Sequence, residues 1–125
     1  MDRLHEVVAD WHDRVNGGDR TRAAAVVGDR VVVLGPKGSG AITQEQFADW
    51  VRRSGITLIP RGWHPVDDSL VVVEQDATWP GSAEPQRVAT VFRVANGKVT
   101  AVLRRPDLPS AMELATICRD MAATA

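Results

Sequence analysis

A chain of 125 residues with 16 acidic and 15 basic side chains is sized for one domain (1–125), and it lacks the concentrated basic face that a nucleic-acid partner requires. No apolar run approaches the ~18 residues of a membrane span, and residues 1–6 turn polar too soon for a signal peptide, so a soluble, cytoplasmic protein with no membrane partner is expected. The single cysteine, Cys118, excludes a disulfide framework and a cysteine-based zinc site, and reads as a helical thiol turned into the core.

Leu4, Val7, Val8, Trp11 and Val15 recur at helical spacing and make one apolar face, which Asn16-Gly17-Gly18 ends. His5 and His12 lie on one flank of this helix without the spacing of a metal pair, and both read as exposed. Asp19 can cap a short second helix over 23–27. Val31-Val32-Val33-Leu34 then reads as a buried strand, and 35–40 as a flexible loop. The glycines of Gly35-Pro36-Lys37-Gly38-Ser39-Gly40 suggest a phosphate loop, but the Gly-Lys-Ser/Thr ending is missing. Thr43, with Gln46 three residues on, forms a capping box for a third helix that turns Phe47, Trp50 and Val51 inward.

Strands follow. One begins over 56–59, with Pro60 marking a bulge or edge and Trp63-His64 near its end. Asp67-Asp68-Ser69 turns into a strand over 70–79, whose Val71, Val73, Ala77 and Trp79 alternate with Glu74 and Asp76. After a loop over 80–85, strands over 87–95 and 98–105 flank Asn96-Gly97, the strongest hairpin signal in the chain. Pro106 and Pro109 end the sheet, and Ser110 with Glu113 reads as a capping box. The last helix is expected to bury Leu114, Ile117, Cys118 and Met121. Helices clustered before an antiparallel meander indicate α+β architecture.

Several motifs, in this order, resemble the SnoaL-like branch of the NTF2-like superfamily. Asn16-Gly17-Gly18-Asp19 resembles the Asn-Ala-Gly-Asp junction between the first two helices of many members. Asp29-Arg30-Val31-Val32 resembles the opening of their first strand, and Gly40-Ala41-Ile42 the approach to their third helix. Asn96-Gly97-Lys98-Val99 is similar to their last hairpin, and Pro106-Asp107-Leu108 to their tail, although Arg105 stands where an aromatic is common. The resemblance implies a cone-shaped, curved antiparallel or mixed sheet packed on N-terminal helices around a pocket, with a C-terminal helix. That helix could cap the cone or join a partner chain. The resemblance also implies a homodimer and no cofactor. Its members include ketosteroid isomerase, polyketide cyclases, scytalone dehydratase, limonene epoxide hydrolase and non-catalytic dimerisation modules, so the fold does not choose a function.

The isomerase pattern needs a carboxylate base and two donors to the developing oxyanion. Matched through the motifs above, the oxyanion Tyr falls at Trp11, the base at Gly35 and the protonated Asp at Thr90. The base is absent and both donors are replaced, so steroid isomerisation is not expected. The remaining acid–base candidates are His64, Glu74 and Asp76. Period-two alternation sends the two acids outward, whereas the isomerase match turns them toward the pocket. Trp11, Trp50, Trp63, Trp79, Thr90, Phe92, Val102 and Arg104 are the candidate pocket lining, with the Trp residues equally readable as core and Arg104 as exposed or as a holder of an anionic ligand group. No metal site is indicated. Three functions stay open: binding of a small, largely apolar molecule; cofactor-free isomerase, cyclase, hydratase or hydrolase chemistry; and homodimerisation alone.

Overall fold

The computed structural model describes residues 3–36 and 38–124. Helix α1 (Arg3–Gly17) buries Leu4, Val7, Val8, Trp11 and Val15, the apolar face expected of it. Gly18, at φ +69°, takes the left-handed conformation that ends the helix. Helix α2 (Arg20–Ala24) is shorter than its sequence suggests, with the Asp19 side chain accepting from the Arg22 N–H at its start. Strand β1 (Val27–Gly35) therefore begins four residues sooner than the Val31 expected.

Residues 35–40 are not the loop that their composition suggests. Gly38–Thr43 forms strand β2, which pairs antiparallel with β1 from Arg30↔Thr43 to Gly35↔Gly38. Its Gly-Ser-Gly start is exposed and carries no apolar alternation, so backbone pairing to β1, rather than side-chain burial, makes it a strand. Lys37, the one charge of the supposed phosphate loop, lies outside the described residues. Helix α3 (Gln44–Ser54) opens with the expected capping box: Thr43 Oγ1 accepts from Gln46 N–H at 3.1 Å and Gln46 Oε1 from Thr43 N–H at 2.8 Å.

Strands β3 (Thr57–Pro65), β4 (Leu70–Thr78), β5 (Gln86–Ala95) and β6 (Lys98–Arg105) complete a six-stranded sheet in the order β2-β1-β6-β5-β4-β3. Only β1 and β6 are parallel neighbours. The register of β3 on β4 slips between Pro60 and Gly62, where proline removes a ladder donor. Asn96 and Gly97 both have positive φ (54° and 75°), as a two-residue hairpin between right-twisted strands requires.

Helix α4 (Leu108–Ala123) starts two residues before Ser110. Asp107 is its cap, accepting from Ser110 N–H at 2.8 Å, and Pro109 fits the first turn because no intrahelical N–H is needed there. The expected stripe holds in part. Leu114 and Cys118 pack half-buried on the sheet and Ala111 and Ala115 are fully buried, whereas Ile117 and Met121 are 47% and 67% exposed. Small side chains let this helix lie close on the sheet, over Leu70, Val72, Ala89, Val91, Ala101 and Leu103. The opposite face of the sheet packs on α1 and α3 through a second cluster that includes Trp11, Phe47, Val71, Val73, Ala77 and Phe92. The C-terminal helix thus backs the convex face and leaves the concave face to the N-terminal helices. Among the described residues no helix is long and apolar enough to cross a membrane.

One side chain ties α1 to the sheet. Asn16 donates to the Leu58 carbonyl at 2.9 Å and accepts from the Leu58 N–H at 2.8 Å, as a neighbouring strand would. Replacing it strands both backbone groups in a part-buried place. We expect Asn16→Ala to cost about 1–3 kcal/mol in urea denaturation, and a loss below about 0.5 kcal/mol would contradict this role.

Candidate functional site

The concave face encloses a cavity of about 870 Å³. Trp11 of α1, Phe47 and Trp50 of α3, Leu58 of β3 and Trp79 after β4 contribute its bulky walls. Val33 and Leu34 of β1, Ile42 of β2 and Val102 of β6 add aliphatic surface, and Thr90 of β5 with Arg104 of β6 supplies polar groups. Gly35 lies in the same wall. A Cβ built on it would stand 3.6 Å from Arg104 Nη2, so the position matched to the isomerase base is occupied by bare backbone beside a cation.

Alternation along β4 decides the acid–base candidates. Val71, Val73 and Ala77 belong to the concave-face cluster, and Leu70 and Val72 to the convex one. Glu74 and Asp76 continue the Leu70–Val72 series and so face away from the cavity. His64, paired to Val72, is on that side as well, with Nε2 3.0 Å from Glu74 Oε1. Asp76 is bracketed by Arg61 at 2.7 Å and Arg87 at 2.8 Å, and hydrogen bonds from Arg87 and then Arg61 hold its pKa below the usual carboxylate value. These residues form a charged ladder on the outer surface. The isomerase match had turned Glu74 and Asp76 inward, and the period-two pattern of β4 overrules it.

Trp63 and Phe92 face the concave side without lining the cavity. Phe92 is fully buried edge-on to Trp11, their ring centroids 4.8 Å apart, and Trp63 stacks on His5 at 4.0 Å. Trp11, Trp50, Trp79, Thr90, Val102 and Arg104 all line the space.

The sequence reading missed a buried polar chain behind this wall. His12, expected to be exposed, is 2% exposed, because it follows Val8 by four residues and precedes Val15 by three on the packed face of α1. Its Nδ1 lies 2.7 Å from the Val8 carbonyl, which can only accept, so the ring proton sits on Nδ1. Nε2 then accepts from Gln75 Nε2 at 2.8 Å, and Gln75 Oε1 accepts from Thr90 Oγ1 at 2.6 Å. Burial drives the His12 pKa down to about 4, against the Val8 bond and Asp13, which favour the charged ring. The neutral ring gives the chain one direction, with the Thr90 proton already committed. Thr90 can therefore offer only lone pairs to a bound molecule.

Trp11 is fully buried, and its indole N–H has no acceptor among the described residues. The cavity wall thus sets the neutral Thr90 beside the half-buried guanidinium of Arg104. The one lining carboxylate among the described residues, Asp49, is held by Arg20 at 2.8 Å. No histidine among them lines the cavity. Among the described residues no three His, Cys, Asp or Glu side chains converge as a metal site would require.

A mixed sheet wrapped by helices around an open, apolar interior defines a class of α+β cone proteins, and comparison with known proteins places the chain within it. No protein-family model matches the chain, and no curated protein matches its sequence. Among solved structures, an NTF2-like protein of unknown function from Cytophaga hutchinsonii superposes with a TM-score of 0.74 at 12% identity, covering 87% of this chain and 94% of that one. A computationally designed 17-OHP binder gives 0.72 at 17% identity, over 87% and 95% of the two chains. The epoxide hydrolase/cyclase-like enzyme SalBIII, of pyran ring formation in salinomycin, gives 0.67 at 18%, over 81% and 88%. The chain has the NTF2-like fold, as its motifs implied.

Proposed function

We propose that this protein binds a small, largely apolar molecule in the cone without transforming it. The carrying observation is the cavity's composition: about 870 Å³ walled mainly by Trp and aliphatic side chains, with the only carboxylate among the described lining residues ion-paired to Arg20 and no histidine among them. That volume lies in the range of small-molecule sites, roughly 300–1,000 Å³, and would hold a ring-shaped ligand. The designed 17-OHP binder supports the reading, since a protein of the same fold is described as a binder. An open cavity speaks against a pure association module whose cone is filled by side chains.

Acid–base catalysis needs a group within reach of the reacting atom, and proximity is tested before pKa. His64, Glu74 and Asp76 fail on direction, because they stand on the far side of the sheet. The enzymatic alternative therefore gains no specific observation from this site.

A thermal-shift screen of lipophilic ring compounds tests the proposal. Binding confined to the folded state stabilises by about 2.7 kcal/mol at a ligand concentration 100-fold above Kd, so a melting-point rise of several degrees is expected for at least one compound. A flat response across the whole set would count against it.

A further inference from the structure

Arg104 differs from the protein's ion-paired arginines. Arg14, Arg20, Arg61, Arg87 and Arg119 each meet a carboxylate within 4.0 Å. Arg104 meets none among the described residues, although it is half-buried and faces the cavity. Its guanidinium carbon lies 5.4 Å from the centre of the Trp79 ring, an arrangement that fixes the planar fork while leaving its N–H groups to be filled. Gly35 places bare backbone beside this fork, where a Cβ would stand 3.6 Å from Arg104 Nη2.

Two further facts fix the sign. Asp49 is neutralised by Arg20, and Arg53 of α3 also lines the space, so the cavity presents unbalanced positive charge to its contents. A second hollow of about 310 Å³ shares Gly35, Pro36, Trp79 and Arg104 with the first, which puts Arg104 at their junction rather than against closed wall. Burial also lowers the pKa of this guanidinium, the direction expected of a cation kept from water without an acid partner.

We infer that the ligand is an amphipathic carboxylic acid: its carboxylate is held by Arg104 on the Trp79 wall, and its apolar body fills the cone toward Trp11. The planar guanidinium fork matches a carboxylate in a two-point contact, which an ester or alcohol cannot reproduce. This rests on the container reading and adds to it the charge and position of the ligand's head.

The test compares pyrenebutyric acid with its methyl ester, titrated into the whole protein and followed by quenching of tryptophan emission. The acid is expected to bind about 10- to 100-fold more tightly than the ester, as charge-assisted hydrogen bonding in a sheltered site implies. Arg104→Met should remove that preference while leaving ester affinity within about threefold, and Arg104→Lys should retain part of it. Arg52→Met, at an exposed arginine outside both hollows, serves as the control and should keep the preference. Unfolding curves of each variant report whether the fold survives, and Arg104→Gln substitutes if the Met variant does not. Equal binding of acid and ester, or a preference that persists without Arg104, would overturn the inference and leave the container intact. Failure of both compounds to bind would overturn the two together.

Discussion

Acidification from pH 6.5 to pH 4 is expected to remove on the order of 3 kcal/mol of stability through His12 alone. The folded protein holds this ring neutral, with a pKa lowered from 6.5 to about 4, while the unfolded chain takes up the proton across that interval. The unfolded state therefore binds more protons throughout the window, and stability falls as the pH falls. Below pH 4 both states are protonated at this site and its contribution levels off. A charged ring would also need to donate from Nε2, which now accepts from Gln75. The Gln75 amide would have to turn, and the Thr90 proton would lose its acceptor. Asp76 and Asp107, with pKa values held below 3.8 by their hydrogen bonds, lose their contributions only at lower pH. Urea denaturation at pH 7, 5.5 and 4 measures the slope, and His12→Gln identifies its source. An amide there can still meet Gln75 but cannot titrate, so the slope should largely vanish. An unchanged slope in that variant would contradict the assignment.

The second large effect belongs to Trp11. Its ring is fully buried and packs edge-on to Phe92 at 4.8 Å, against His12 at 5.0 Å and against Phe47 at 6.2 Å. Trp11→Ala is expected to cost about 3–5 kcal/mol, a large part of the stability of an ordinary domain. Trp11→Phe should behave differently. It loses some volume, but it also removes a buried N–H that has no acceptor, a group costing about 1–3 kcal/mol to leave unpaired. The two terms oppose, so the Phe variant should remain within about 1–2 kcal/mol of the parent. Denaturation midpoints compare the pair directly. Similar losses in both variants would mean that the indole N–H carries no penalty in the free protein.

What the sequence made legible follows from how local each signal is. The apolar face of α1, the Thr43–Gln46 capping box and the Asn96-Gly97 turn depend on residues within a few positions of one another, and each forms as read. Strand β2 depends on pairing with β1, and nothing in Gly38-Ser39-Gly40 announces a strand without its partner. For α4, apolar spacing named Leu114, Ile117, Cys118 and Met121; Leu114 and Cys118 do pack on the sheet, but close approach buries Ala111 and Ala115 most deeply and leaves Ile117 and Met121 exposed.

The same division holds at the site. Period-two alternation alone places Glu74 and Asp76 outward, and a family match that ignored the pleat turns them the wrong way. His12 and Gln75 were harder to see, because each is polar within an otherwise apolar series: Val8, His12, Val15 on the helix and Val73, Gln75, Ala77 on the strand. Such an interruption is a signal in itself. A polar residue at an inward position needs a partner, and these two, 63 residues apart, supply each other.

An equilibrium titration of the wild type and of Val102→Trp with the methyl ester of pyrenebutyric acid tests the container most directly. Val102 lines the cavity, and an indole at that position would fill part of it. Saturable binding of one ester per chain, lost in a Val102→Trp variant that still unfolds cooperatively, is the predicted result. Binding that the variant leaves unchanged would place the ligand elsewhere on the protein, and no saturable binding to the wild type would contradict the container itself.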